Sequence, residues 1–409
     1  MDEIAAVRAE ITAWIAEHWV RELSLIQWRT LLADSGWACP AWPDSLCGRA
    51  LRADLAAAAT TELAAAGVPG LPDGVGMWLV APVLIEHGSE DLKQRFIRPT
   101  VTGEITWCQL FSEPGAGSDL AGLATRAVAD GESWVVTGQK VWSTGAATAD
   151  YGLLLARTDP DVPKHRGITA FVLPMRQPGV LVRPLRQMNG HSSFNEVFLD
   201  SARTEHVIGG PGAGWAVALT TLTHERRLAA SKPAPAPAGA AGRAWREAMQ
   251  ERTAVTEPHK WYPQRAGRPD LVIPQARAEG KDTDPITRQE IARLQETTRS
   301  ARWTAERAAA ERAAGRRPGP EGSIGKLASS DIARQSARVH GSIAGASGML
   351  AGPQAPRAGT IAEILVSVPG ISIAGGTDEI QHTIIGERIL GLPREPDVSR
   401  EIPFREIPR

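Results

Sequence analysis

Along the first hundred residues, apolar side chains recur with a helical period. Ile4, Val7, Ile11, Trp14 and Ile15 share one face, and Trp28, Leu31 and Leu32 begin another. The break at Cys39-Pro40-Ala41-Trp42-Pro43 separates them from an Ala-rich helix predicted over residues 52–66. A Gly/Pro loop over 67–76, a helix over 78–87 and a short helix over 90–97, ending before Pro99, complete this part. From Thr106 the period changes to two. Strands are predicted at 106–111, 125–129, 133–137, 140–143, 151–157, 168–174, 181–184 and 196–199, with Gly131, Gly138 and Gly179 in the intervening loops. Short strands without helices between them indicate an antiparallel sheet or small barrel, not a Rossmann unit.

The helical period returns after the glycine cluster at 209–214. No βαβ context or ribose-binding acid follows that cluster, so it reads as a hinge. Trp215, Leu219, Leu222 and Arg226 then mark one helix face. Residues 231–241 are Pro/Ala-rich, and the chain up to about Asp284 is predicted irregular, with Pro258, Pro263, Pro269 and Pro274 at loop-like spacing. A linker, a surface excursion or a lid each fits that composition. Helices resume over 286–316 and 325–343. The last runs over 379–390, with Thr377 as N-cap and Gly391-Leu392-Pro393 as its stop. The predicted fold is α+β and multidomain. An N-terminal helical domain (1–105) and a middle antiparallel β domain (106–208) precede a C-terminal helical bundle (209–409) with an irregular insert at about 231–284.

Composition narrows the function classes mainly by exclusion. Lysine and arginine total 45 against 46 acids, a balance with no sign of a nucleic-acid surface or an acidic membrane partner. Apolar runs are interrupted before membrane-spanning length, and the acidic, amphipathic start is unlike a secretory signal, so a cytoplasmic location is expected. Cys39, Cys47 and Cys108 make neither a disulfide framework nor a metal-ligand spacing, and the nine histidines form no HxxxH pair. No metal is expected. Most of the thirteen tryptophans are read as core or interface anchors.

The most informative stretch is 107–120, WCQLFSEPGAGSDL. An apolar, aromatic strand runs into the turn Pro114-Gly115-Ala116-Gly117-Ser118-Asp119, whose backbone N–H groups can face one concavity suited to a diphosphate. By itself such a turn fits a plain loop equally well. With WVVTGQKVWSTGA (134–146), FNEVFLD (194–200), THER (223–226) and GGTDEIQHTIIGERILG (375–391), in that order, the chain resembles the acyl-CoA dehydrogenase family. The resemblance implies bound FAD and α,β-dehydrogenation of an acyl-CoA thioester to the trans-2-enoyl thioester. Alternatives are a flavin oxidase or monooxygenase on a CoA or carrier-protein thioester, and a noncatalytic partner subunit of a heteromeric dehydrogenase. The implied partners are an acyl-CoA or acyl-carrier-protein thioester and an electron-transfer flavoprotein. A homodimer or homotetramer is expected, with a heteromer as the alternative.

The resemblance also implies site residues. Gln109, Leu110, Phe111 and Ser112 match the flavin-contacting strand, and Gly117 and Ser118 its phosphate-side turn. Trp142, Ser143 and Thr144 match the second flavin motif, whose donors meet the isoalloxazine edge. Thr377 and Glu379 match positions that reach FAD from the C-terminal domain. For each, the residues alone also allow packing, turn-capping or N-cap roles. Many relatives place the base glutamate where this chain has Gly375, which carries no acid. Other branches place it directly before an arginine on the helix following the β domain, here Glu225-Arg226. Glu225 is therefore the expected base and Arg226 its helper, with an exposed ion pair as the plain alternative. No FAD arginine is assigned near Arg288-Gln289, and the Gln-x-x-Gly-Gly motif is reduced to Ser342-Ile343-Ala344-Gly345-Ala346. Arg183, Arg186 and Lys326 could meet CoA phosphates, or could be solvated surface charges.

Overall fold

The computed structural model describes residues 2–228, 240–316 and 319–408. By compactness the chain divides into two units. One contains Met1–Leu185, Ser192–Glu257 and Asp397–Arg409; the other contains Arg186–His191 and Pro258–Pro396.

The first unit begins with α1 (Glu3–His18), α2 (Leu25–Asp34), α3 (Ala53–Ala65), α4 (Ala81–His87) and α5 (Glu90–Thr102). Ser24 and Gln27 form a reciprocal capping box at the start of α2. One π-helical turn, Gly76–Val80, leads into α4. The helix expected to stop before Pro99 instead runs through it to Gly103, whose φ of 84° ends it. Burial of Leu92, Phe96, Ile97, Thr100 and Val101 along one face outweighs the proline's missing N–H.

The strands are β1 (Trp107–Leu110), β2 (Arg126–Asp130), β3 (Ser133–Ser143), β4 (Tyr151–Arg157), β5 (Ile168–Pro174), β6 (Val180–Leu185), β7 (Phe194–Thr204) and β8 (His206–Ile208). They form one sheet in the order β6-β7-β3-β2-β4-β5-β8, with β1 beside β4. Pairing is antiparallel except where β1 and the first residue of β2 pair parallel to β4, so the sheet is mixed. The two strands expected over 133–137 and 140–143 are one strand. Gly138 is not a loop residue but lies at an irregularity within β3, where a Cβ would sit 2.4 Å from Thr125 Oγ1. Two cores flank the sheet. Leu153, Leu155, Ala170 and Val172 point toward the helices, and Leu154, Ala156, Phe171 and Leu173 toward the other face.

The helices α6 (Gly214–Leu228) and α7 (Arg243–Thr256) follow in the first unit. Around α7, Arg29 forks onto Glu251 at 2.7 and 3.0 Å while Trp245 Nε1 donates to the Gly67 carbonyl. The second unit contains α8 (Tyr262–Arg265), α9 (Pro269–Ala278), α10 (Pro285–Ala313), α11 (Glu321–Ala344), α12 (Thr360–Ser367) and α13 (Asp378–Arg388). Much of the stretch expected to be irregular up to Asp284 is thus helical. Pro263 and Pro269 occupy first-turn positions, where the missing N–H costs nothing. Pro274 is interior to α9 but flanked by buried Val272, Gln275 and Ala276. Residues 231–239 of the Pro/Ala-rich run lie outside the described residues. No described helix is long and apolar enough to cross a membrane.

Candidate functional site

The first unit brings the two predicted flavin motifs of the β domain side by side. β1 ends at Leu110, and the Ser112 carbonyl accepts the Val141 N–H at 2.9 Å. Gln109 and Ser112 are half-buried, whereas Leu110 and Phe111 belong to the cores. The following turn is pinned by mutual N–H to carbonyl bonds between Glu113 and Ala116, at 3.0 and 3.1 Å. Gly117 and Ser118 are exposed. Neither Gly115 nor Gly117 has a positive φ, and a Cβ at either would meet nothing within 4 Å. The fold itself does not require glycine there; open space over the backbone is what these residues supply.

On β3 the register shifts between Lys140 and Ser143, a β-bulge containing Val141 and Trp142. Trp142 has φ 64°, a strained conformation for a bulky residue, and its side chain is 54% exposed. Its ring meets Phe194 edge-on at 5.6 Å. Ser143 points the other way. Its Oγ is buried and has no hydrogen-bond partner among the described residues, while its carbonyl accepts from Asn195 Nδ2 at 2.9 Å. Thr144 begins the next turn, half-buried.

Two residues beneath this surface were not singled out from the sequence. Lys140 is completely buried, and its Nζ donates to the Phe111 carbonyl at 3.0 Å and to Glu113 Oε1 at 2.7 Å. Glu113 also accepts the N–H groups of Ala124 and Thr125 at 2.7 and 2.9 Å. Burial pushes Lys140 down to about 8, against the pull of Glu113. Burial opposes ionisation of Glu113 too, but Lys140 and the backbone donors outweigh it and hold the carboxyl below its ordinary value. The available signal was parity, since Lys140 shares its strand face with buried Val136.

Helix α6 corrects one expectation and changes the standing of Glu225. Leu219, expected on the buried stripe with Trp215, Leu222 and Arg226, is 49% exposed. The buried face is instead Gly214, Val217, Ala218 and Thr221, against β5 and the Gly76–Val80 turn. At about 100° per residue, Glu225 falls in the middle of that face rather than beside it. The Glu225 side chain is half-buried; that of Arg226 lies outside the described residues.

Thr377 and Glu379 belong to the second unit. Thr377 caps α13, its Oγ1 accepting the Ile380 N–H at 3.2 Å, and Glu379 is an exposed first-turn acid held below its ordinary value by the helix-end donors. Between them Asp378 is buried. It accepts from Ser330 Oγ at 2.7 Å, Arg334 Nη1 at 2.6 Å and Lys326 Nζ at 3.4 Å. Lys326 is therefore engaged within this unit rather than being a solvated surface charge. Arg183 lies over the Phe198 ring at 5.4 Å. Gly375 and Gly376 have φ of 69° and 85°. The three cysteines are free and buried, and burial raises each thiol, Cys47 to about 11 and Cys108 to about 12. Among the described residues there is no cluster of three or more metal-ligating side chains.

Comparison with known proteins gives this arrangement a family. The acyl-CoA dehydrogenase N-terminal, middle and C-terminal domain profiles match residues 2–104, 108–202 and 274–390. Acyl-CoA dehydrogenase FadE34 of Mycobacterium tuberculosis is 38% identical over 96% of this chain, which spans 49% of that protein's length. Acyl-CoA dehydrogenase IpdE1 of the same organism is 32% identical over 97% of this chain and 99% of its own. Among solved structures, the Tcur3481-Tcur3483 steroid ACAD is 25% identical with a TM-score of 0.63, covering 97% of this chain and 100% of that one. The ChsE4-ChsE5 complex from Mycobacterium tuberculosis is 25% identical with a TM-score of 0.60, covering 97% and 99%. Matched by all three domain profiles and by relatives along nearly its whole length, the chain belongs to the acyl-CoA dehydrogenase family.

Proposed function

We propose that this chain is an FAD-dependent dehydrogenase that introduces an α,β double bond into an acyl-CoA thioester, with Glu225 as the base. The observation that carries the cofactor reading is the β3 bulge. A strained, half-exposed Trp142 stands beside half-buried Thr144, next to a turn whose backbone is open. Strain and an exposed large aromatic both cost stability, and a ligand stacked on the indole would offset that cost. A flavin fits: an aromatic ring system for Trp142, hydrogen-bonding edges for Ser143 and Thr144, and a diphosphate for the turn containing Gly117 and Ser118. Gln109 and Ser112 contribute from the β1 side, and Thr377 and Glu379 are proposed flavin contacts on the family's sequence pattern.

When bound, FAD would supply the hydride acceptor for the substrate β-carbon. The chain's own part is to take the α-proton and hold the thioester. Glu225, on the buried face of α6, is the carboxylate proposed for the proton. Gly375 leaves the other family position without an acid. An electron-transfer flavoprotein is the proposed acceptor. Related structures that carry "steroid" in their names favour a bulky, ring-bearing acyl group, and their two-component names favour a heteromeric assembly. A second reading rests on Gly375: a partner subunit is the catalytic half, and this chain's own role is cofactor support.

Anaerobic mixing with a panel of straight-chain, branched and steroid-derived CoA thioesters tests these readings. Bleaching of the flavin absorbance is expected, strongest with the bulky thioesters. Absence of bleaching by a flavin-loaded chain, alone and with its partner, would overturn the dehydrogenase reading.

A further inference from the structure

The buried Glu113–Lys140 pair joins four pieces of backbone that carry the proposed flavin contacts. Lys140 holds the Phe111 carbonyl at the end of β1 and the Glu113 carboxylate at the start of the glycine turn. Glu113 holds Ala124 and Thr125 at the far end of the same loop. Lys140 is also the residue at which the β3 register begins to shift toward Ser143. The pair thus spans from one predicted flavin segment to the other, with neither charge exposed to a ligand: Lys140 is 0% and Glu113 8% exposed.

Burying two charges is an expensive way to join two strands. The desolvation penalty of each ion is large, and apolar residues of similar volume often serve stability as well or better. What an apolar pair does not provide is direction. An ammonium bonded to one carbonyl and one carboxylate, with that carboxylate bonded to two consecutive N–H groups, fixes both spacing and rotation of the joined segments. We infer that Glu113 and Lys140 are positioning residues for the cofactor. They set the separation between the Gln109–Ser112 segment and the Trp142–Thr144 bulge without touching the cofactor themselves. This inference rests on the flavin reading of the site, and a displacement of about 1 Å at such a site can cost on the order of a hundredfold in function.

The test is the double variant E113L/K140M beside the wild-type chain, each stripped of flavin and then titrated with FAD. Thermal unfolding of the stripped proteins, the FAD dissociation constant, the visible spectrum and the flavin reduction potential are measured together. The expected result is a double variant that is folded at the titration temperature but has a lower Tm, because the Phe111 carbonyl and the Ala124 and Thr125 N–H groups lose their partners, with FAD bound at least about tenfold more weakly and a shifted spectrum and potential. Wild-type affinity, spectrum and potential in the variant would overturn the inference and leave the flavin reading standing. A variant that is unfolded at the titration temperature, or one that binds FAD more weakly with an unchanged spectrum and potential, would also overturn it, because the pair would then be structural. If the wild-type chain takes up no FAD, the flavin reading itself falls, and the inference with it.

Discussion

Lys140 and Asp378 are both buried charges, yet their surroundings differ in kind. Asp378 lies where three side chains converge on one carboxylate, and the result is a closed polar cluster at the start of α13. Lys140 and Glu113 are as well satisfied, but next to them Trp142 is strained and Ser143 Oγ has no hydrogen-bond partner among the described residues. The helical cluster spends its hydrogen bonds on folding. The strand cluster ties together the two segments for which flavin contacts are proposed. One cluster closes on itself as a staple, and the other supports strained backbone beside an exposed aromatic ring.

The largest expected effect lies on α6 and would extend the comparison to chemistry. Glu225→Gln should leave FAD uptake intact and slow single-turnover flavin reduction by about 10²–10⁴-fold. Near-normal reduction would remove Glu225 from the mechanism. In the helical cluster, Asp378→Asn should lower stability by about 2 kcal/mol in denaturant unfolding, since Arg334, Ser330 and Lys326 lose a charged acceptor. Partial burial works against ionisation of Asp378, but these donors hold it far below the carboxylate range. Its folded pKa is depressed, so its contribution is present above about pH 4 and is lost as pH falls below that. The variant should therefore show a shallower acid transition.

In the strand cluster the effects should run the other way. Trp142→Gly relieves a backbone strain of about 1 kcal/mol, which offsets lost packing on Phe194, so stability should change little while FAD binding weakens. Raising the pH offers a smaller probe. Burial, reinforced by Arg157 and opposed by Glu113, brings Lys140 from 10.5 to about 8. Between those values the unfolded chain binds the extra proton, so this group favours folding more as pH rises, while the ionic link to Glu113 is lost. FAD affinity should fall between about pH 7 and 9.5 without a matching fall in stability from this group, and E113L/K140M should be flat over that range.

Much of the architecture was legible because burial is written continuously in the sequence. The strands over 151–157 and 168–174 are predominantly apolar, and both are found with those bounds. Where one residue serves two purposes, the reading failed. Gly138 looks like a loop glycine but is a close approach to Thr125 inside β3. Prolines 263 and 269 look like loop punctuation but begin helices. On α6, Leu219 drew the apolar stripe toward itself, although small Gly214 and Ala218 with Thr221 make the buried face. The segments proposed to meet FAD were readable as motifs. Their support by Glu113 and Lys140 was harder to read, because a lysine in a strand is ordinarily a solvated one, and parity with Val136 was the one sequence signal against that.

FAD is proposed to cover the surface that Trp142 and Thr144 present at the β3 bulge. Equilibrium titration of FAD into the stripped chain, with and without Thr144→Ala, tests this most directly. Saturable uptake by the wild type is expected. Thr144→Ala should bind about fivefold more weakly with stability little changed, because its half-buried hydroxyl is proposed to bond the ligand. Identical FAD affinity in the two proteins, or no uptake by either, would contradict it.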